Sequence, residues 1–189
     1  MDNPFEMLGV PQSFALDPRL LERRQRELGR ALHPDRHAGA SPAARRQALS
    51  RAMDVNRAFR TLRDPLSRAA ALLSVMGAAL DTETERVTDP VLLGRMLDER
   101  ERLDEVRRLG DRAALGELKA RMQEREQELY RQLEVAFAPL ERAAPARAGG
   151  DGAASADDTA YARVCELLTE LRYVRRYLEQ VAALEDEVG

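Results

Sequence analysis

The sequence predicts an all-α protein built in two helical parts, and three observations carry that reading. Apolar residues recur three, four and seven apart through most of the chain, with no stretch of strand-like alternation. Charged residues make up 33% of the 189 positions and aromatics only 4%, with no Trp. That composition suits helices packed on Leu and Ala better than an aromatic-rich sheet sandwich. Repeatedly, a side chain able to accept a hydrogen bond stands directly before a proline: Asp17-Pro18, Ser41-Pro42, Asp64-Pro65 and Asp89-Pro90. An N-cap acceptor followed by Pro at the first helical position marks a helix start, because Pro lacks the N–H that would go unpaired there.

Taken in order, Asn3-Pro4 opens a short element over 4–8, closed by Gly9-Val10-Pro11. After Pro18, Leu21, Leu28, Ala31 and Leu32 share one helical face, with Arg23, Arg24, Arg26 and Arg30 mostly off it. Pro34 ends this helix, since proline disfavours the α conformation in the residue before it. The helix opened by Pro42 shows Leu49, Ala52, Met53, Asn56, Phe59 and Leu62 as its apolar face. Pro65 restarts the pattern with Leu66, Ala69, Leu72, Leu73 and Met76, as far as Gly77. Residues 77–88 read as a polar connector. A helix then runs from Asp89-Pro90 to about Leu109, where Gly110 supplies a stop.

Asp111 offers a cap for the next helix, on which Leu115, Leu118, Met122, Leu129, Leu133, Ala136 and Leu140 recur at helical spacing. The Ala-, Gly- and Pro-rich stretch 143–156 reads as a flexible loop. From Asp157 a last helix carries Leu167, Leu171, Val174, Leu178 and Val181 in steps of four and three, which suits an antiparallel bundle. The division is therefore 1–77 and 88–189.

The net charge of −3 conceals an asymmetry. Residues 1–77 carry 13 Arg against 8 acids, a net +5, and the remainder 17 basic against 25 acidic, a net −8. Halves of opposite charge usually meet different partners. Lys119 is the only lysine, which reads as codon composition rather than chemistry. Cys165 is the only cysteine, so no intrachain disulfide or CxxC metal site can form, and it reads as a small semi-buried hydrophobe. With no basic and apolar leader and no apolar run near the ~20 residues that span a membrane, the chain is expected to be soluble and cytoplasmic.

The most informative feature is His33-Pro34-Asp35, on a turn between the Arg-rich helix and the next. With its flanks it resembles a J-domain, the module by which a co-chaperone stimulates the ATPase of a DnaK-type chaperone. Asn3-Pro4-Phe5-Glu6-Met7-Leu8-Gly9-Val10 resembles the family's "Y/F-x-x-L-G-V" opening, and 56–65 (NRAFRTLRDP) its "I-N-x-A-Y-x-x-L-x-x-P". The helices flanking the tripeptide are expected to pack antiparallel through Leu21, Leu28, Leu32, Leu49, Met53 and Phe59. Arg24, Arg26 and Arg30 would then form a guanidinium surface leading to His33, Pro34 and Asp35. Guanidinium groups bind carboxylates through paired, directional hydrogen bonds, so an acidic partner would be steered there, faster at low salt. His33 and His37 are four apart, but Pro34 breaks a continuous helix and no third ligand is evident, so no metal site is expected. Nucleic-acid binding is disfavoured because no aromatics are interleaved with the bases.

In the acidic half, the helix after Pro90 carries Leu92, Met96, Leu103 and Val106 as one stripe. Leu93 and Leu97 form a second, continued by Glu101 and Glu105, with Asp98 and Asp104 beside it. A J-domain followed by a short helical linker and an acidic three-helix bundle resembles the HscB family, co-chaperones of iron–sulfur cluster biogenesis. Residues 89–106 (DPVLLGRMLDERERLDEV) resemble that family's "L-M-x-x-L-E-x-R-E-x-L-[DE]-[DE]" helix. Residues 63–73 (RDPLSRAAALL) resemble its linker, "L-x-x-P-x-x-R-A-x-Y-L-L". The resemblance implies two partners: a DnaK-type chaperone of the HscA class at the J-like half, and the cluster scaffold of the IscU class at the bundle. Carried over residue by residue, it places the scaffold on Leu93, Leu97, Asp98, Glu101 and Glu105, with Tyr173 added from the last helix. Two departures, Gly94 where the family commonly has Met and Asp98 where Glu is usual, imply a weaker or slightly shifted docking site.

No chemistry is expected on the chain itself. It offers no nucleophile–base pair and no phosphate-cradling Gly loop, and no cofactor is called for. The rival readings are a J-protein delivering general unfolded clients and a helical adaptor without a chaperone partner. The absence of a Gly/Phe-rich linker and of a Cys-rich zinc domain, and the charged character of the bundle patch, weigh against the first.

Overall fold

The structure is a computed structural model that describes residues 3–33, 36, 39, 41–78, 90–147 and 154–188. The described residues form seven helices in the order α1 (Pro4–Leu8), α2 (Pro18–Ala31), α3 (Pro42–Arg63), α4 (Pro65–Val75), α5 (Pro90–Leu109), α6 (Arg112–Arg147) and α7 (Ala154–Val188). No strand occurs among the described residues. The chain divides into two compact units, Met1–Leu80 and Asp81–Gly189.

Helix starts follow the capping chemistry. The side chains of Asn3, Asp17, Ser41 and Asp64 accept from the amides of Phe5, Arg19, Ala44 and Ser67 at 3.0, 2.9, 3.2 and 2.8 Å, each with Pro at the helix start. Asp111 does the same for Ala114 at 3.0 Å. Each such cap contributes about 1 kcal/mol. Asp89 lies outside the described residues, as do most of the connector 77–88. Gly110, at φ 65°, closes α5 in the left-handed conformation that glycine adopts without a Cβ penalty.

In the first unit, α3 is the centre: it packs against α1, α2 and α4, and α1 also touches α2. The fully buried anchors are Phe5 and Leu8 from α1, Phe14 from the following loop, Leu62 from α3 and Leu72 from α4. Phe14 was not singled out by periodicity because it lies between helices. It is 1% exposed, and the guanidinium of Arg68 stacks over its ring at 4.8 Å.

The face expected for α3 is corrected. Leu49 and Met53 are 58% and 60% exposed, and Asn56 is exposed, its side chain accepting from Gln25 of α2 at 3.2 Å. The buried positions are Ala48, Val55, Ala58 and Leu62, also at helical spacing. Three helices converge on this side of α3, and alanines let their backbones approach where leucines would hold them apart. Antiparallel packing of α2 and α3 therefore runs through Leu21, with Leu28, Leu32 and Phe59 half-buried, but not through Leu49 or Met53.

The second unit is a three-helix bundle. The α6–α7 pair forms its main interface, built on Leu129, Leu133, Phe137, Leu167, Leu171 and Val181. The thinner α5 lies against both and buries only Leu92 and Leu103. Of the loop expected over 143–156, residues 143–147 and 154–156 are helical instead, α6 continuing to Arg147 and α7 starting at Ala154, three residues before the expected Asp157, while 148–153 lie outside the described residues. Alanine, the best helix former, stands at 143, 144, 146, 154 and 156 and favours helix at both edges of that stretch.

Candidate functional site

Two surfaces carry the residues singled out by sequence, one in each unit. On the first, Leu32 caps the end of α2, and His33 follows exposed, its carbonyl accepting from the Arg36 amide at 3.0 Å. Pro34 and Asp35 lie outside the described residues. Arg26 and Arg30 are exposed, as expected. Arg24 is not part of that open face. Its Nε donates to the Leu8 carbonyl at 3.0 Å and its Nη1 to Glu27 at 3.1 Å, so the guanidinium ties α2 to the end of α1. Any Cβ at Gly9 would stand 2.3 Å from this guanidinium, and Gly9 itself has φ 62°. Arg23 takes the vacated place: Arg23, Arg26, Arg30 and His33 are spaced three, four and three, on one exposed side. The sequence signal was present in that spacing.

On the second surface, α5 turns Leu93 and Leu97 outward, 45% and 53% exposed, with Asp98, Glu101 and Glu105 exposed along the same helix. Asp98 and Glu101 have no hydrogen bond or ion pair among the described residues, while Glu105 meets Arg108 only at 3.9 Å. Gly94 is exposed, with open space where its Cβ would stand, so packing does not require glycine there.

The opposite side of α5 is held by polar contacts. Glu99 pairs with Arg121 of α6 at 2.7 Å and with Arg102 at 3.2 Å. Tyr173, half-buried on α7, donates its hydroxyl to the Met96 carbonyl at 2.8 Å, and Tyr177 donates to the Glu99 carbonyl at 3.2 Å. Tyr173 thus stands with Leu92, Arg95, Met96 and Glu99 on the packed side of α5, its polar tip engaged inside the bundle. Behind these contacts, Arg125 of α6 makes two parallel hydrogen bonds of 2.8 Å to Glu170 of α7, one to each carboxylate oxygen. Glu170 is 9% exposed, and Arg95 of α5 approaches it at 3.8 Å. The hydrogen bonds that Arg125 donates to Glu170 raise the Arg125 pKa further, against the effect of burial. Periodicity missed this pair because Glu170 sits on the apolar side of α7.

Burial pushes the phenols of Tyr130, Tyr173 and Tyr177 up to about 12 from 10.0. In each case the folded state holds the proton more tightly than the unfolded chain. The associated stability is therefore complete below pH 10 and is lost as pH rises from 10 towards 12. A bundle followed by circular dichroism is expected to hold its helicity to about pH 10 and then unfold together with tyrosinate formation. Tyrosinate absorbance appearing well before any loss of helicity would contradict this.

Cys165 is half-buried, and the described residues hold no cluster of three or more potential metal ligands. No described helix is long and apolar enough to cross a membrane.

Comparison with known proteins agrees with this architecture. The family model described as "HSCB C-terminal oligomerisation domain" matches residues 88–182. The chain is 30% identical over 189 residues to the co-chaperone protein HscB homolog of Haemophilus influenzae, covering 100% of this chain and 98% of that one. It is 42% identical over 123 residues to the Bordetella pertussis homolog, covering 65% of this chain and 71% of that one. Among solved structures, chaperone HscB from Vibrio cholerae superposes with a TM-score of 0.75 at 28% identity, over all of both chains. Human co-chaperone HscB shares the fold, with a TM-score of 0.76 at 23% identity over 97% of this chain and 82% of that one. A J-domain followed by a helical bundle, matched end to end by such relatives, makes this chain a member of the HscB family of co-chaperones.

Proposed function

We propose that this protein stimulates the ATPase of a DnaK-type chaperone of the HscA class and delivers to it the iron–sulfur cluster scaffold of the IscU class. The first unit engages the chaperone through His33, Pro34 and Asp35, with Arg23, Arg26 and Arg30 drawing an acidic surface onto the exposed side of α2. The bundle binds the scaffold through Leu93, Leu97, Asp98, Glu101 and Glu105, with Tyr173 holding α5 from its packed side. The observation that carries this reading is the outward face of α5. Two exposed leucines run into a row of carboxylates, of which Asp98 and Glu101 have no side-chain partner among the described residues, on a helix whose other side is packed and hydrogen-bonded. An apolar anchor beside a desolvatable charge row fits one shaped, basic-rimmed partner better than it fits assorted unfolded chains, which favour broad apolar grooves.

The test is a steady-state ATPase assay of the chaperone with this protein, with the scaffold, and with both. Stimulation by both together is expected to exceed that by this protein alone. Equal rates would leave a general J-protein as the better account. Replacing Leu93 and Leu97 by Ala is expected to weaken scaffold binding by ~1–3 kcal/mol in a calorimetric titration, the range for central apolar contacts. An unaltered affinity would move the docking site off α5.

A further inference from the structure

The N-terminal half of α5 carries two apolar pairs side by side, Leu92 with Met96 and Leu93 with Leu97. The pairs lie about 100° apart around the helix axis. The first pair continues along the helix as Leu103 and Val106 and the second as Glu101 and Glu105, so burial favours the first, and Leu92 is 7% exposed and Leu93 45%. Within the N-terminal half alone the preference is weak, because the two pairs are of nearly equal area and Gly94, open where a Cβ would stand, adds no steric wedge. Directional bonds hold that half in place. Tyr173 and Tyr177, one turn apart on α7, reach the carbonyls of Met96 and Glu99, close to one turn apart on α5. Their rings lie 6.2 Å apart at 51°, so each supports the other's position. Bonds at two successive levels couple the rotation of α5 to its slide along α7: turning the helix without a matching slide of about 1.5 Å per residue carries both carbonyls away from their hydroxyls. The Glu99–Arg121 pair holds the same setting from α6.

We propose that Tyr177, together with Tyr173, is a positioning residue for scaffold docking: the two phenol hydroxyls lock α5 in the rotation that turns Leu93 and Leu97 outward. This rests on the reading of the α5 face given above. Tyr177 is 2% exposed and acts through the helix without touching the partner.

The experiment uses the full chain carrying Y177F, and Y173F/Y177F, titrated calorimetrically with the scaffold protein. Loss of one or both buried hydroxyl bonds is expected to weaken affinity by roughly three- to ten-fold, and to speed amide hydrogen exchange over residues 90–100. Y130F is the control. Tyr130 bonds within the α6–α7 pair, to Glu126 and Arg175, so its loss loosens the bundle without touching α5 and is expected to leave affinity in place. Unchanged affinity in Y173F/Y177F, or an equal loss in Y130F, overturns the proposal. L93A/L97A separates the two levels. If that variant binds weakly while Y173F/Y177F binds normally, the positioning role alone fails. If L93A/L97A also binds normally, the docking face is wrong and the positioning role falls with it.

Discussion

Replacing His33 by Gln, or Asp35 by Asn, is expected to return the chaperone's ATPase to its unstimulated rate. His33 is exposed just beyond the end of α2, so the imidazole takes no part in the core and its loss should leave the circular dichroism spectrum unchanged. Asn keeps the size of Asp but removes the charge. A charged hydrogen bond across an interface contributes about 2–5 kcal/mol when one partner is removed, enough to abolish a weak regulatory contact. Raising the salt should slow the unaltered protein's association as well, because the Arg23–Arg26–Arg30 face acts through long-range attraction. Stimulation that survives either substitution, with the fold intact, would point to a helical adaptor that borrows the J-domain architecture without its activity.

Glu170→Ala is expected to be the most destabilising single change at a polar position in the bundle, by about 2–4 kcal/mol. The variant leaves the Arg125 guanidinium, whose side chain is only 29% exposed, facing a space that held both of its acceptors. Full burial would place the loss nearer the top of that range, and partial access of Arg125 to water reduces it. Urea denaturation monitored on the bundle's helicity would read the change as a lower midpoint at unchanged slope. The double variant R125M/E170A provides the sign check: removing both charges should recover part of the stability, since an apolar replacement is often neutral where a half-pair is not. A midpoint unmoved by E170A would reduce the pair to a surface bridge contributing under about 1 kcal/mol.

Helix starts were legible because capping is local: a side-chain acceptor and a following Pro decide the matter within three residues. The outward leucines of α5 were legible too, since two adjacent stripes on one helix cannot both face inward when one runs into carboxylates. The buried side of α3 was not. Hydrophobicity ranks Leu49 and Met53 above Ala48 and Ala58, yet convergence of α1, α2 and α4 on one side favours small residues, a property of the assembled unit. The helical edges of 143–156 were not legible for a related reason: Pro145 and the glycines of that stretch signal a break, while the alanines at 143, 144, 146, 154 and 156 favour helix. The assignment of Arg24 to an open face failed because its acceptor, a main-chain carbonyl at Leu8, leaves no mark in the side-chain pattern. The resemblance adds Tyr173 to the docking site, but its hydroxyl's acceptor is again a carbonyl, on Met96, which the side-chain pattern does not show.

The near absence of lysine has a consequence at three positions. Arg24 spans a carbonyl and a carboxylate, Arg125 grips both oxygens of one carboxylate, and Arg175 bridges Glu126 and the Tyr130 hydroxyl. Each task needs a flat, forked donor, and an ammonium of equal charge offers only a point. The preference for arginine is thus an architectural commitment at these sites, so that a descendant of this sequence drifting towards lysine could exchange its exposed cations freely yet would be held to arginine at these three.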